Sequence, residues 1–292
     1  MAKFGIGEGF RRVMDKVGIF FNPAVPRAPS LAVDIEAWLV DQGIDVWAGE
    51  TSTRDKLDQV IDTLELLIVL GGDGTTLLGA RIAAPHEVPI FGVNLGRVGF
   101  LSEAPPSGWQ DKLGKVISGE FWLEKRLMLE ATITRGDQAI ADLSALNDIV
   151  VSRGSRVRVV RFHLSVDGDR VITYSADGLI AATPTGSTAY SMAAGGPLLP
   201  PRLQNFLVLP VAPHLSFERP IVFHQEAKIK IKVEMEHEAM ATADGQDSVT
   251  LQSGDEVTIR KHSYESHFAR VEAPSYFYHR LMQHLSFWSR KQ

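Results

Sequence analysis

The residues best suited to chemistry begin where an apolar run stops. Leu66, Leu67, Ile68, Val69 and Leu70 lead directly into Gly71-Gly72-Asp73-Gly74-Thr75. Such a run closed by glycines predicts a buried strand feeding a tight turn, and apolar spacing predicts a helix over about 75–83. Gly71, Gly72 and Gly74 let the backbone take positive φ and let phosphate oxygens approach with no Cβ in the way. A helix start adds N–H groups and the positive end of a dipole. With Thr75 closing it, the turn suits an anion at the carboxyl edge of a parallel sheet. It is not a P-loop, because no Gly-Lys-Ser/Thr follows. Nor is it the dinucleotide fingerprint, because Leu77 stands where the third glycine belongs. Asp73 is the odd member: a carboxylate in such a cradle repels an anion unless it takes a proton or helps hold a metal. A plain tight turn with an Asp helix cap accounts for the same residues.

A second constellation runs from Asp177 through Thr183-Pro184-Thr185-Gly186-Ser187-Thr188-Ala189-Tyr190 to Gly195-Gly196. A short apolar strand enters a turn, and Ser187 or Thr188 is placed to cap a short helix. Small side chains there allow backbone contact with a flat ligand, and Tyr190 adds an aromatic face. Close packing alone explains the same composition. A third is Asn147-Asp148, two polar residues inside an apolar run, which need partners if buried. No Gly-x-Ser-x-Gly elbow anchors a serine hydrolase, and the histidines show no metal-ligand spacing. Gly5, Gly7 and Gly9 precede any strand and read as a mobile terminus.

These residues need a frame of two kinds. Before about residue 121, strand-like runs at 17–21, 44–47, 66–70 and 88–93 alternate with helical spacing such as Leu31, Ile35, Trp38 and Leu39, predicting a parallel sheet covered on both faces. Beyond it the period is two. Hairpins are predicted over 127–143, over 158–174 around Asp167-Gly168, and over 249–260. Residues 276–288 return to helical spacing. The predicted architecture is an α/β domain with a parallel sheet (1–124 plus 272–292) and a β-rich, antiparallel, sandwich-like domain (125–271). The last segment returns to the first domain.

The 292 residues include no cysteine, which excludes disulfides, thiolate metal sites and a cysteine nucleophile. A net charge of −5 argues against nucleic acid held by bulk charge. No apolar run approaches a membrane span, and the start lacks a secretory core. A cytoplasmic protein is expected.

Taken together, GGDGT at 71–75, Leu146-Asn147-Asp148 and the block at 177–197 resemble the NAD kinases. The similarity extends to residues 91–101, Ala212-Pro213-His214 with Arg219-Pro220, and Asp244-Gly245-Gln246. GGDGT alone is shared with diacylglycerol and sphingoid lipid kinases, the alternative reading, but those have no reason to carry the 183–190 block. The resemblance implies phosphoryl transfer from ATP, with Mg²⁺, to the 2′-hydroxyl of the adenosine ribose of NAD, giving NADP; polyphosphate is a second possible donor. It implies Asp73 as general base with Gly74 beside it, and Gly71, Gly72, Gly74 and Thr75 around the donor phosphates. Asn147 and Thr188 hydrogen-bond adenine, Ala189 and Tyr190 lie along it, Asp148 holds the nicotinamide-side ribose, and Phe100 lines the pocket. Asp177 reaches the nicotinamide end from a neighbouring subunit, which implies a homo-oligomer, a dimer of dimers. Many NAD-restricted members carry arginine where this chain has Ser175, so NADH is an expected second substrate.

Overall fold

The computed structural model describes residues 14–96, 99–154, 160–214 and 217–289. Gly5, Gly7 and Gly9 lie outside them. The chain divides into two compact units, one of residues up to Glu124 and from His267 onward, the other Lys125–Ser266.

The first unit alternates as its apolar spacing requires: β1 (Lys16–Phe21), α1 (Ala28–Asp41), β2 (Asp45–Glu50), α2 (Arg54–Asp58), β3 (Leu66–Gly71), α3 (Asp73–Ala83), β4 (Ile90–Asn94), α4 (Trp109–Ile117) and β5 (Trp122–Arg126). Alternate side chains of a strand face opposite ways. Ile19, Leu66, Ile68 and Leu70 therefore pack with Leu31, Ile35 and Leu39 of α1 and Leu113 and Val116 of α4. Phe20, Leu67 and Val69 face α3, where Gly79 leaves room for them.

The second unit is antiparallel. Its strands are β6 (Leu129–Arg135), β7 (Gln138–Ala145), β8 (Asp148–Arg153), β9 (Val160–Val166), β10 (Asp169–Ala176), β11 (Gly178–Ala182), β12 (Asn205–Val211), β13 (Ile221–His224), β14 (Ile229–Glu234), β15 (Ala239–Ala243), β16 (Asp247–Leu251) and β17 (Glu256–Lys261), with the short α5 (Tyr190–Ala193) after β11. They form two six-stranded sheets, β10-β9-β14-β17-β6-β7 and β13-β12-β11-β8-β15-β16. Phe162, Leu164, Ile231 and Val257 of one sheet meet Ile149, Val151, Leu179 and Phe206 of the other in a common core. The outer face of the second sheet, with Val150, Ile180, Leu207 and Leu209, is covered by Ala194 and Leu199 of the segment after β11.

The 127–143 and Asp167-Gly168 hairpins form as expected, the latter with both turn residues at positive φ. The 249–260 hairpin does not. β16 pairs with β15 and β17 with β14 and β6, so Gln252–Asp255 crosses between sheets. The buried Asp255 fixes that crossing: it accepts the Gln252 N–H at 2.8 Å and a two-pronged Arg135 guanidinium at 2.9 and 2.8 Å.

The chain then returns as β18 (Ser266–Arg270) and α6 (Tyr276–Ser289). β18 joins the first sheet, in the order β2-β1-β3-β4-β18-β5, parallel to β4. The return thus begins at His267 rather than 272, because β18 takes a place in that sheet between β4 and β5. Among the described residues no helix is long and apolar enough to cross a membrane.

Candidate active site

β3 ends at Gly71 and α3 starts at Asp73 with Gly72 as its N-cap, so the helix begins two residues before the apolar spacing and Asp73 sits in its first turn. Gly71, Gly72 and Gly74 have no positive φ, contrary to one role expected of them. A Cβ at 72 or 74 would meet nothing within 4 Å, so the backbone there lies open, whereas Gly71 is buried and a Cβ there would collide with the Thr75 side chain. Thr75 is buried and donates its N–H to Gly72 at 3.1 Å.

Gly71 pairs in register with Asn94 at the end of β4, and the Leu95 N–H donates to the Gly71 carbonyl at 3.1 Å. The loops after β3 and β4 therefore leave the carboxyl edge side by side, where ligands of α/β sheets bind. The second loop comes back onto Asp73. The Phe100 N–H donates to one carboxylate oxygen at 3.0 Å and the Leu101 N–H to the other at 3.3 Å. A Cβ on Gly99 would collide with that carboxylate, so any other residue there would displace it. Each oxygen is oriented by one amide and keeps lone-pair capacity for a proton.

In the second unit Asn147-Asp148 forms a clamped corner. The Asp244 carboxylate, on a residue at φ 52°, accepts N–H groups from Leu146 at 3.0 Å, Asn147 at 2.7 Å and Asp148 at 3.2 Å. The Asn147 carbonyl accepts the Thr183 N–H at 2.8 Å. Gly186 lies against the Asn147 backbone so closely that a Cβ would overlap it. Asp148 is buried. Burial, reinforced by the Asp244 charge, pushes its pKa up to about 7.

That shift has a sign. The folded pKa is raised, so Asp148 favours folding fully below the ordinary carboxylate pKa and loses this contribution as pH rises through about 7. Asp148→Asn removes the penalty. The unfolding free energy of the variant should gain on that of the wild type progressively from pH 4 to pH 8, by about a few kcal/mol in total, read as a rising difference in melting temperature. A difference independent of pH in thermal melts would contradict this.

The helix after the turn is not capped as expected. Ser187 is buried, donates to Pro184 at 2.6 Å and accepts the Leu199 N–H at 2.9 Å, while Ala189 occupies the N-cap of α5. The Thr188 hydroxyl donates to Thr185 at 3.0 Å, so outward it offers an acceptor. Ala189 is half-buried and Tyr190 is 46% exposed. Ser175 and Asp177 lie apart from this corner. Asp148 pairs with Ala182, whereas Asp177 precedes the other end of β11, a separation of about 16 Å along an extended strand. Asp177 forms an ion pair with Arg153 at 3.0 Å, and the Ser175 carbonyl accepts the His214 N–H at 2.7 Å. Sequence reasoning assigned no role to Asp244, Arg153 or Gly99. For Asp244 and Gly99 the available signal was that both lie in stretches similar to the NAD kinases, Asp244-Gly245-Gln246 and residues 91–101.

Residues 51–121 match the ATP-NAD kinase N-terminal domain and residues 146–271 the ATP-NAD kinase C-terminal domain.

The chain belongs to the NAD kinase family.

NAD kinase of Heliobacterium modesticaldum is 40% identical over 276 residues, covering 90% of this chain and 96% of that protein. NAD kinase of Chloroflexus aurantiacus is 33% identical, covering 94% and 99%. The crystal structure of yeast NADH kinase complexed with NADH is similar at a TM-score of 0.84 and 26% identity, over 94% of this chain and 88% of that one. An NAD kinase from Archaeoglobus fulgidus in complex with ATP gives 0.73 and 29%, over 89% and 95%. These relatives are NAD kinases, which does not favour the lipid-kinase alternative for the GGDGT turn.

Proposed function

We propose that the protein transfers the γ-phosphoryl group of ATP to the 2′-hydroxyl of the adenosine ribose of NAD, giving NADP, with Asp73 as general base. The observation that carries this reading is the Asp73 carboxylate, held by the Phe100 and Leu101 amides in a glycine-flanked turn at the carboxyl edge of a parallel sheet. Phosphoryl transfer needs positioning and charge neutralisation more than covalent chemistry. Asp73 takes the hydroxyl proton as the ribose oxygen forms its bond to the γ-phosphorus, and the bond from that phosphorus to the β–γ bridging oxygen breaks, releasing ADP.

The open backbone of Gly72 and Gly74, with Gly71 and Thr75 behind it, receives the donor phosphates. Among the described residues no group of three His, Cys, Asp or Glu converges on an ion. A Mg²⁺ arriving with ATP would keep phosphate oxygens and waters, take few protein ligands and neutralise phosphate charge. Asn147 presents an amide to the adenine edge, Thr188 an acceptor to its amino group, Ala189 and Tyr190 a wall, Phe100 an apolar lining, and Asp148 an acceptor to the nicotinamide-side ribose. A cytoplasmic location accords with the cysteine-free composition.

The deciding assay pairs ATP or polyphosphate with NAD, NADH or diacylglycerol. We expect turnover with ATP and NAD and none with diacylglycerol. Ser175 brings neither charge nor bulk to the nicotinamide end, so kcat/KM for NADH should fall within about tenfold of that for NAD. A thousandfold preference for NAD, measured anaerobically, would assign that choice to another residue.

The distance of Asp177 from the Asn147 corner supports its service in a neighbour's site, within a homotetramer arranged as a dimer of dimers. Co-assembled Asp73→Asn and Asp177→Ala subunits should then regain activity that neither has alone, because some mixed sites contain neither change. Full activity in a sample shown to be monomeric by sedimentation would refute this.

A further inference from the structure

Linked to Asp73 through Leu101 is a buried charge network that the proposed chemistry does not use. Arg270 of β18 donates from Nε to Glu124 at 2.8 Å, and from Nη1 to the carbonyls of Leu101 at 3.0 Å and Ser102 at 3.3 Å and to Glu103 at 3.2 Å. Arg280 of α6 donates to the Ser102 carbonyl and, at 3.2 Å, to the Glu103 carbonyl. The Glu103 carboxylate accepts the N–H groups of Val271 at 3.1 Å and Glu272 at 3.0 Å. Arg270, Arg280, Glu103 and Glu124 are all buried.

Charged side chains are almost never fully buried unless paired, and burying them seldom adds stability over apolar packing. Their placement here has a geometric consequence. Leu101 is held at both ends: its N–H donates to Asp73 and its carbonyl accepts from Arg270. The loop is also pressed on β4, where the Glu103 and Ala104 N–H groups donate to Gly92 at 2.7 and 3.1 Å and a Cβ at Gly92 would stand 3.0 Å from Ser102 Cα. The segment that presents the two amides is therefore fixed both by β4 and by residues from the end of the chain.

We propose that Arg270 and Arg280, through the buried loop 101–103, are positioning residues that hold the Phe100 and Leu101 amides on the Asp73 carboxylate. This rests on Asp73 as the base. A planar guanidinium serves several acceptors at fixed spacing, whereas a lysine offers one compact charge that cannot span Glu124 and the two loop carbonyls together. Losing that span lets the amides drift, and misplacement near 1 Å can cost about a hundredfold in rate.

The experiment measures kcat and KM for Arg270→Lys and Arg280→Gln, each alone and combined with Asp73→Asn, with cooperative thermal melts to establish folding. Arg270→Lys should lower kcat by about tenfold to a hundredfold, Arg280→Gln by about threefold to tenfold, with KM for NAD within about twofold of wild type. Neither should lower kcat further once Asp73 is Asn. A folded variant with wild-type kcat, a loss confined to KM, or a loss that multiplies onto Asp73→Asn would overturn the proposal. Should Arg270→Lys not fold, Arg280→Gln decides by the same criteria. If Asp73→Asn itself retains kcat, the base assignment fails and takes this proposal with it, an outcome distinct from failure of the arginines alone.

Discussion

Asp73→Asn is expected to lower kcat by about 10²–10⁴ while KM for NAD moves little. The amide is nearly isosteric with the carboxylate and leaves the open glycines untouched, but it cannot take the ribose proton. The structure adds a local cost. Phe100 and Leu101 each donate an N–H to one carboxylate oxygen, and asparagine has one acceptor oxygen and one donor nitrogen. One of those two bonds is lost and a donor then faces a donor, for about 1 kcal/mol. That is small beside the roughly 3–5 kcal/mol of transition-state stabilisation at stake. Steady-state kinetics with a thermal melt separates the two effects. A folded variant with most of its kcat would remove Asp73 from the chemistry.

Gly186→Ala is expected to raise KM for NAD by about tenfold or more and to destabilise the second unit by about 1–3 kcal/mol, a typical cost of overpacking. The new methyl group would overlap the Asn147 carbonyl, carbonyl carbon and Cα. These are backbone atoms that cannot swing away, because Asp244 holds the Asn147 N–H and Thr183 its carbonyl. The corner must move as a piece and carry the Asn147 and Asp148 side chains with it. Because Asp73 belongs to the other unit, kcat at saturating NAD should fall far less than kcat/KM. An unchanged KM in a folded variant would show that the corner does not bear on the nucleotide.

Periodicity alone determined the two-part architecture. The burial alternation of Ile229–Glu234 and the unbroken apolar run of Leu66–Leu70 distinguish a half-exposed antiparallel strand from one covered on both faces. Turn chemistry determined the Asp167-Gly168 hairpin, since both positions need a left-handed backbone. Motif spacing determined where Asp73, Asn147 and Asp148 stand in the chain. Tertiary structure decided what period and spacing do not encode. Alternation reports which face of a strand is buried, not which strand lies beside it, so β16 and β17 looked like a hairpin and belong to different sheets. It likewise did not place β18 beside β4. The contacts that shape the site join a side chain to backbone amides far away in sequence, Asp73 to Phe100 over 27 residues and Asp244 to Asn147 over 97. Every residue's amide looks alike in a sequence; only the fold brings particular ones within reach of a carboxylate.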